Sequence, residues 1–376
     1  MNKKKIAIIV PKYGLVGGGE QFVFELTERL ASNPRYQFHV IANQWQRGGA
    51  SIIFHYVPII TFPKWLTTLS FACFANYLAL KIGVDLIHTH DRVLAADICT
   101  LHSIPHYFWV KKVRRKKIPS LFDFATSWTE KHLANNKRCQ WFLPVSSQAA
   151  EETLRVYPSL RKRMKVVHPG VDIERFCPPV DLAERQRLRA QFGFMEHEIV
   201  VLFVGMNFEV KGLDTVLAGV ALANQHPDSA STFKVLVVGK GDREKYQAQA
   251  ERLGISELVT FAGIRDDMPS LYQASDIFTL LSFYDTFGMV VTEAMATGLP
   301  VLVSRNVGAK DLVAEGQNGF VIDPGVPDLV CRHLLRMASS SVRRAMSIAS
   351  RETAISHSWD EMARQMEDVY EQVLRS

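Results

Sequence analysis

Two carboxylates, Asp285 and Glu293, stand eight positions apart in YDTFGMVVTEAMATGLPVLVS, Tyr284 to Ser304, on either side of a glycine turn. Asp285 follows the apolar run Ile277 to Leu281, and Glu293 opens a helical pattern that begins near Val290. Strand, loop and helix in that order put both acids at the carboxyl edge of a parallel sheet, where open α/β proteins bind ligands. Other strand ends carry glycines. Gly17, Gly18 and Gly19 follow the first apolar run and precede a helix, so their amides can cradle a phosphate, a plain tight turn being the other reading. In VGMNFEVKGLD, Val204 to Asp214, Lys211 and Gly212 open a helix, where an ammonium and helix amides suit a diphosphate; the alternative is a surface lysine. Gly239 lies in VVGKGDREKY, a turn expected to surround the base or pyrophosphate of a nucleotide. His102 ends an apolar strand, placed either to donate to a sugar hydroxyl or phosphate or to serve structure alone.

Several chemistries are disfavoured. The chain has no GxGxxG after its first strand and no acid at the end of a clear second strand, which argues against nicotinamide or flavin. It has no GxxxxGK[ST], so a P-loop ATPase or kinase is not expected. His88 and His90 match no metal-ligand spacing, no metal is expected, and no nucleophile elbow supports a Ser-His-Asp triad.

The elements that would position these residues form two similar sets. Strands are predicted at Lys5–Val10, 38–42, 52–57, 85–88, 96–101, 141–145 and 165–167, with helices between several of them. After HPGVDIERFCPP, His168 to Pro179, the pattern restarts with strands at Val200–Gly205, Phe233–Gly241, 258–261, 277–281 and 301–303. The predicted class is α/β, two doubly wound Rossmann-like domains with a cleft between them. The division is 1–176, a linker at 177–197, 198–356, and a C-terminal helix at 357–376 that returns to the first domain. In 261–278, Tyr272 and Ile277 read as core, and Arg265 and Asp266 as rim.

At 376 residues and 47% apolar, the chain has material for two cores. Five scattered cysteines without CxxC read as free thiols in a reducing compartment. The start MNKKKIAIIVPKYG holds too short an apolar run for a signal peptide, so a cytoplasmic location is expected. Trp65 to Leu80 falls short of the roughly 20 apolar residues that cross a bilayer and reads as a buried or interfacial helix. The net charge of +6 is concentrated in KKVRRKK, Lys111 to Lys117, next to HYFW, His106 to Trp109, and ahead of Phe122, Phe124 and Trp128. That mixture suits an anionic membrane surface or an anionic acceptor, with an ordinary solvated face as the alternative and nucleic acid disfavoured.

Together, GGGEQFVFELTERLA, HPGVDIERF, VGMNFEVKGLD, VVGKGD, LYQASDIFTLLSFYDTFGMVVTEAMATGLPVLVS and NGFVIDP make the chain resemble the retaining glycosyltransferases of the GT-B superfamily, family 4. Within that group it is most similar to enzymes that add a hexose to the lipopolysaccharide core, the glucosyltransferase I type. The resemblance implies a nucleotide-sugar donor, most often a UDP-sugar such as UDP-glucose, with no other cofactor and no metal. It implies an anionic lipid-linked glycan as acceptor, presented at the inner face of the cytoplasmic membrane. Glu293 would hold the ribose hydroxyls. Asp285, with the amides of Phe287, Gly288 and Met289, would hold the donor sugar, Lys211 and Gly212 the diphosphate, and His102 the transferred sugar. The family pattern has glutamate where Asp285 stands. Relatives carry an arginine where this chain has Met206 or Val210. The same fold also serves capsule, teichoic, glycolipid and soluble acceptors and a UDP-aminosugar epimerase, and an inactive nucleotide-sugar-binding module is a further reading.

Overall fold

The computed structural model describes residues 3–375 apart from Val16, Arg115, Lys116, Asp228 and Ala230, and apart from the side chains of Lys112 and Val113. The chain divides into two compact units, Met1–Gly170 with Trp359–Ser376, and Val171–Ser358.

The first unit is built on six strands, β1 (Lys4–Ile9), β2 (Tyr36–Ala42), β3 (Ile52–Tyr56), β4 (Leu86–Thr89), β5 (Ile98–Leu101) and β6 (Trp141–Pro144), in the order β3-β2-β1-β4-β5-β6. Every pairing is parallel. After its two opening lysines, the strand β1 is a continuous buried apolar run, as expected when helices cover both faces of a parallel sheet. The expected strand at 165–167 is not one. Only a single bridge joins Met164 to Phe142, with bonds from the Lys165 and Val167 amides, before Pro169 and Gly170 divert the chain.

The helix Trp359–Arg375 belongs to this unit. Its buried face, Trp359, Met362, Ala363, Met366, Val369, Tyr370 and Val373, recurs at helical spacing. Its polar edge makes ion pairs with Arg29 and Arg35 through Asp360 and Glu371. Gly170 leaves room for it, since a Cβ there would lie 2.6 Å from the Trp359 Cα.

The second unit repeats the design with β7 (Ile199–Met206), β8 (Phe233–Lys240), β9 (Val259–Gly263), β10 (Ile277–Leu280), β11 (Val301–Ser304) and β12 (Gly319–Ile322), in the order β9-β8-β7-β10-β11-β12. All of its pairings are parallel too. In both sheets the strand order reverses beside the first strand, between β1 and β4 and between β7 and β10. A doubly wound sheet opens a crevice at its carboxyl edge at that reversal.

Residues 177–197, read from sequence as a linker, are folded into the second unit. They carry the helix Leu182–Gln191, capped by the Asp181 side chain. Arg185 and Arg189 on this helix clamp Asp276 at 2.7 and 2.8 Å, and Asp276 in turn accepts from the Val200 amide at 2.9 Å. The guanidinium of Arg189 is nearly fully buried and also caps three carbonyls, so the segment is anchored rather than free.

Candidate functional site

At the strand reversal of the second sheet, the chain leaving β7 turns through Asn207 into the one-turn helix Phe208–Lys211. Asn207 is left-handed at φ 76°, and its side chain accepts from the Val210 amide at 3.2 Å, an asparagine turn that fixes where Lys211 points. Glycines let the backbones close in. A Cβ on Gly239 would sit 2.0 Å from the Gly205 carbonyl oxygen, and one on Gly212, at φ +79°, 2.3 Å from the Leu281 carbonyl oxygen. A Cβ on Gly205 would meet the Lys211 stem at 2.8 Å, so the lysine lies across the end of β7 only because that position has no side chain.

From the neighbouring strand β10 the chain continues through Ser282, whose hydroxyl donates to the Val210 and Tyr284 carbonyls, and the Phe283 amide bonds Val210 as well. This stitches the two loops together. It carries Asp285 to Lys211, and the two side chains pair at 2.5 Å while still 17% and 22% exposed. The Asp285 backbone is held by bonds to Asn306 and Gly308. Gly288, left-handed at φ +88°, caps the helix Met289–Ala296 and lies 3.4 Å from the Asp285 carboxylate, counted from a Cβ built on it. The first amides of that helix therefore start beside the ion pair, as the first turn of any helix leaves its amides without intrahelical acceptors.

Glu293 lies one turn into the same helix. Tyr272 donates its hydroxyl to Glu293 Oε2 at 2.8 Å. Burial pushes the Glu293 carboxyl up, against the opposing pull of the Tyr272 bond and of Arg175. Burial, the Glu293 charge and that bond likewise push the Tyr272 hydroxyl far up, so it stays a donor. Sequence reasoning read Tyr272 as core, and its ring is core; its hydroxyl is the missed partner of Glu293. Met206 and Val210 are exposed at this edge and bring no charge to it. Arg265 lies on the surface, paired with Asp267.

The first unit shows a second cluster at its own strand reversal. Gly17 caps the helix Gly18–Leu30, so Gly18 and Gly19 lie in its first turn and not in a loop ahead of it. The Glu20 carboxylate lies over Gly17, within 2.1 Å of where a Cβ would stand. A Cβ on Gly19 would rest 3.6 Å from the His102 ring. His102 shares a 3.0 Å hydrogen bond with His90, and His88 bonds Tyr370 and Thr100 at 2.8 Å each. Burial lowers all three imidazoles, His88 to about 3 and His102 to about 4, so they are neutral at ordinary pH. Among the described residues no group of three or more His, Cys, Asp or Glu is placed to hold a metal.

The expected aromatic and basic patch is partly visible. Tyr107, Phe124 and Trp128 are exposed, with Leu121 on the same helix and Phe74, Tyr77 and Leu80 on the helix Leu66–Ile82. The two helices touch through Thr68 and Thr126. Lys111 lies over Tyr107 and Arg114 over Trp109. His106 is buried instead, bonded to Asp123 at 3.0 Å. Arg115, Lys116 and the Lys112 side chain fall outside the described residues. No described helix is long and apolar enough to cross a membrane.

Two families match the chain in succession: Glycosyltransferase Family 4 over residues 16–175 and Glycosyl transferases group 1 over residues 184–353. The chain belongs to the glycosyltransferases. It is 25% identical over 327 residues to an uncharacterized glycosyltransferase of Methanocaldococcus jannaschii, covering 83% of this chain and 82% of that protein. It is 34% identical over 224 residues to the D-inositol 3-phosphate glycosyltransferase of Corynebacterium urealyticum, covering 57% of this chain and 52% of that one. The match thus spans about half the length of the inositol phosphate enzyme. Among glycosyltransferase structures, it superposes on WaaG, involved in lipopolysaccharide biosynthesis, with TM-score 0.78 and 20% identity over 97% of this chain and 99% of that one. Anabaena HepE in complex with UDP-glucose gives 0.70 and 21% over 98% and 99%. Sucrose-phosphate synthase from Thermosynechococcus elongatus gives 0.79 and 21% over 99% and 100%. These likenesses place the glycosyltransferase in the GT-B fold.

Proposed function

We propose that this glycosyltransferase moves a hexose from a nucleotide-sugar, UDP-glucose by preference, to an anionic lipid-linked glycan such as a lipopolysaccharide core, with retention at the anomeric carbon. One observation carries the donor side. Lys211 and Asp285 come from the two strands that flank the reversal of the second sheet, and they meet at its carboxyl edge beside a helix start. A cation, a carboxylate and a helix start within one small region match a ligand that carries a diphosphate and sugar hydroxyls together.

In this reading the acceptor oxygen attacks C1 as the bond from C1 to the diphosphate oxygen breaks. The electron pair leaves with the diphosphate, and the acceptor proton passes to the departing phosphate oxygen. Charge grows on the diphosphate during that step, so Lys211 stabilises the transition state more than the bound donor; the Gly212 amide, expected from sequence to share that role, is instead bonded to the Glu209 carbonyl at 3.2 Å. Asp285, with the amides of Phe287, Gly288 and Met289, takes sugar hydroxyls. Glu293, oriented by Tyr272, takes the ribose, and Gly239, within the last residues of β8 rather than in a turn after it, lies against the nucleotide. Gly17, Gly18 and Gly19 take a hydroxyl more readily than a phosphate, because the Glu20 carboxylate already stands over Gly17 and repels a second anion.

The acceptor side draws on the exposed aromatics of the helices Leu66–Ile82 and Leu121–Asn135 and on the cations beside them. Both suit the headgroup layer of an anionic leaflet. The test is transfer of labelled sugar from UDP-, GDP- and ADP-sugars to truncated lipopolysaccharide core and to neutral soluble glycans. Turnover with one UDP-sugar on the anionic acceptor is the expected result; turnover only with a soluble acceptor overturns the acceptor assignment. Flotation with vesicles containing anionic lipid is expected to carry the protein along, and equal recovery with neutral vesicles sinks the membrane part.

A further inference from the structure

His90 makes a single hydrogen bond through its ring, Nδ1 to His102 Nε2 at 3.0 Å, and its Nε2 is buried with no partner among the described residues. The rings of His88, His90 and His102 follow one another at 4.2 and 5.3 Å, and Phe22 packs edge-on against His102. A charge on any of these buried rings is disfavoured by burial, and at most of them by the neighbouring rings as well. Each neutral ring therefore holds one proton, and the shared bond between His90 and His102 has two ways to place it.

If His102 Nε2 carried the proton and donated, His90 would have to accept at Nδ1 and keep its own proton on Nε2. That would bury an N–H with no acceptor on the protein. Buried orphan donors are rarer in folded proteins than under-used acceptors. The alternative puts the proton of His90 on Nδ1, donating to a bare His102 Nε2, and leaves only a lone pair buried at His90 Nε2. His102 must then carry its proton on Nδ1. That nitrogen is not among the buried orphan atoms, and it lies 3.9 Å from where a Cβ on Gly19 would be.

We infer that His90 is a positioning residue that locks His102 as its Nδ1–H tautomer, so that a neutral N–H donor faces the Gly17–Gly19 helix start. The ligand group it fits is a hydroxyl, which accepts from His102 Nδ1–H and can donate to the Glu20 carboxylate beside it. This rests on the reading of the chain as a sugar-transferring enzyme only for the identity of that hydroxyl, not for the tautomer itself.

The test uses the full chain labelled with nitrogen-15 at histidine, with long-range proton–nitrogen correlation spectra assigned through His102→Gln. The expected spectrum shows a protonated Nδ1 and a bare Nε2 for His102. His90→Asn keeps an amide N–H in place of the imidazole Nδ1–H and is expected to preserve that pattern, whereas His90→Phe keeps a ring but no donor and is expected to release His102 into a tautomer mixture. In transfer assays His90→Phe should lose roughly tenfold or more in kcat/KM, less than the ~100-fold or larger cost of deleting a direct donor, with His90→Asn restoring most of it. A His102 protonated on Nε2 in the wild type overturns the inference, as does unchanged turnover in His90→Phe. If the wild type transfers no sugar at all, the proposed activity fails while the tautomer spectrum still decides this point.

Discussion

Replacing Lys211 with alanine is expected to lower kcat/KM for sugar transfer by roughly 100- to 1,000-fold, the usual cost of removing one charged or hydrogen-bonding group aimed at developing negative charge. The lysine is placed with care. Its stem crosses β7 over Gly205, its turn is fixed by Asn207, and its ammonium reaches Asp285 at 2.5 Å. Met206 and Val210, which share this edge with it, are uncharged and exposed, so neither takes over its charge. Most of the loss should fall on kcat, because the diphosphate gains charge in the transition state. Loss confined to KM would make Lys211 a uniform binding group. The pair is mostly buried and the change leaves Asp285 without its cation, so a stability loss of about 1–3 kcal/mol is expected, small enough to leave the chain folded. A folded but inactive variant is thus the expected result, read by circular dichroism and a transfer assay on the same preparation.

Glu293→Gln should separate function from stability in the opposite direction. Burial raises the Glu293 carboxyl above its ordinary range. A carboxyl whose folded pKa lies above its unfolded one burdens the folded state at every pH above the folded value. That burden fades as pH falls through the window between the two values. Glutamine keeps an oxygen to accept from Tyr272 but carries no charge into the buried site. The variant should therefore melt at a higher temperature than the wild type at pH 7 to 8, and the gap should close as the pH is lowered into the ordinary carboxylate range. Transfer should fall about 10- to 100-fold, the difference between hydrogen bonds to a charged and to a neutral acceptor. A variant that is both less stable at pH 8 and fully active would remove Glu293 from the site.

The sequence showed the repeated βα pattern plainly, because strands buried on both faces read as unbroken apolar runs such as Ile6–Val10 and Val200–Gly205. It showed less well what depends on distant partners. The strand β12 is only four residues long and starts at Gly319, where a Cβ would stand 2.2 Å from the Val301 carbonyl oxygen. Its apolar content is too brief to stand out from a loop. Residues 177–197 look like a linker because the acid that anchors them, Asp276, lies some 90 positions away. Residues 165–167 carry two β-branched valines as a strand would, yet the only bridge here among the described residues is the one before them, at Met164.

The candidate site was legible where a single residue carries the proposed role and opaque where a second residue orients the first. Lys211, Asp285, Glu293 and the glycines stand out by type and place, being polar or small at the ends of apolar strands. Tyr272 and His90 do not. A tyrosine in an apolar helix and a histidine near a strand end are ordinary core residues by pattern, and only the bonds to Glu293 and His102 distinguish them. The helix start beside Asp285 comes from the left-handed cap at Gly288, which a glycine in the sequence permits but does not require.

The most direct test of the donor site is calorimetric titration of UDP into the full chain, the Lys211→Ala variant and the Glu293→Gln variant at one pH and salt concentration. One UDP per chain, with affinity falling at least tenfold in both variants, is the result expected if the carboxyl edge of the second sheet holds the nucleotide. Affinity equal to that of the wild type in both folded variants would contradict it.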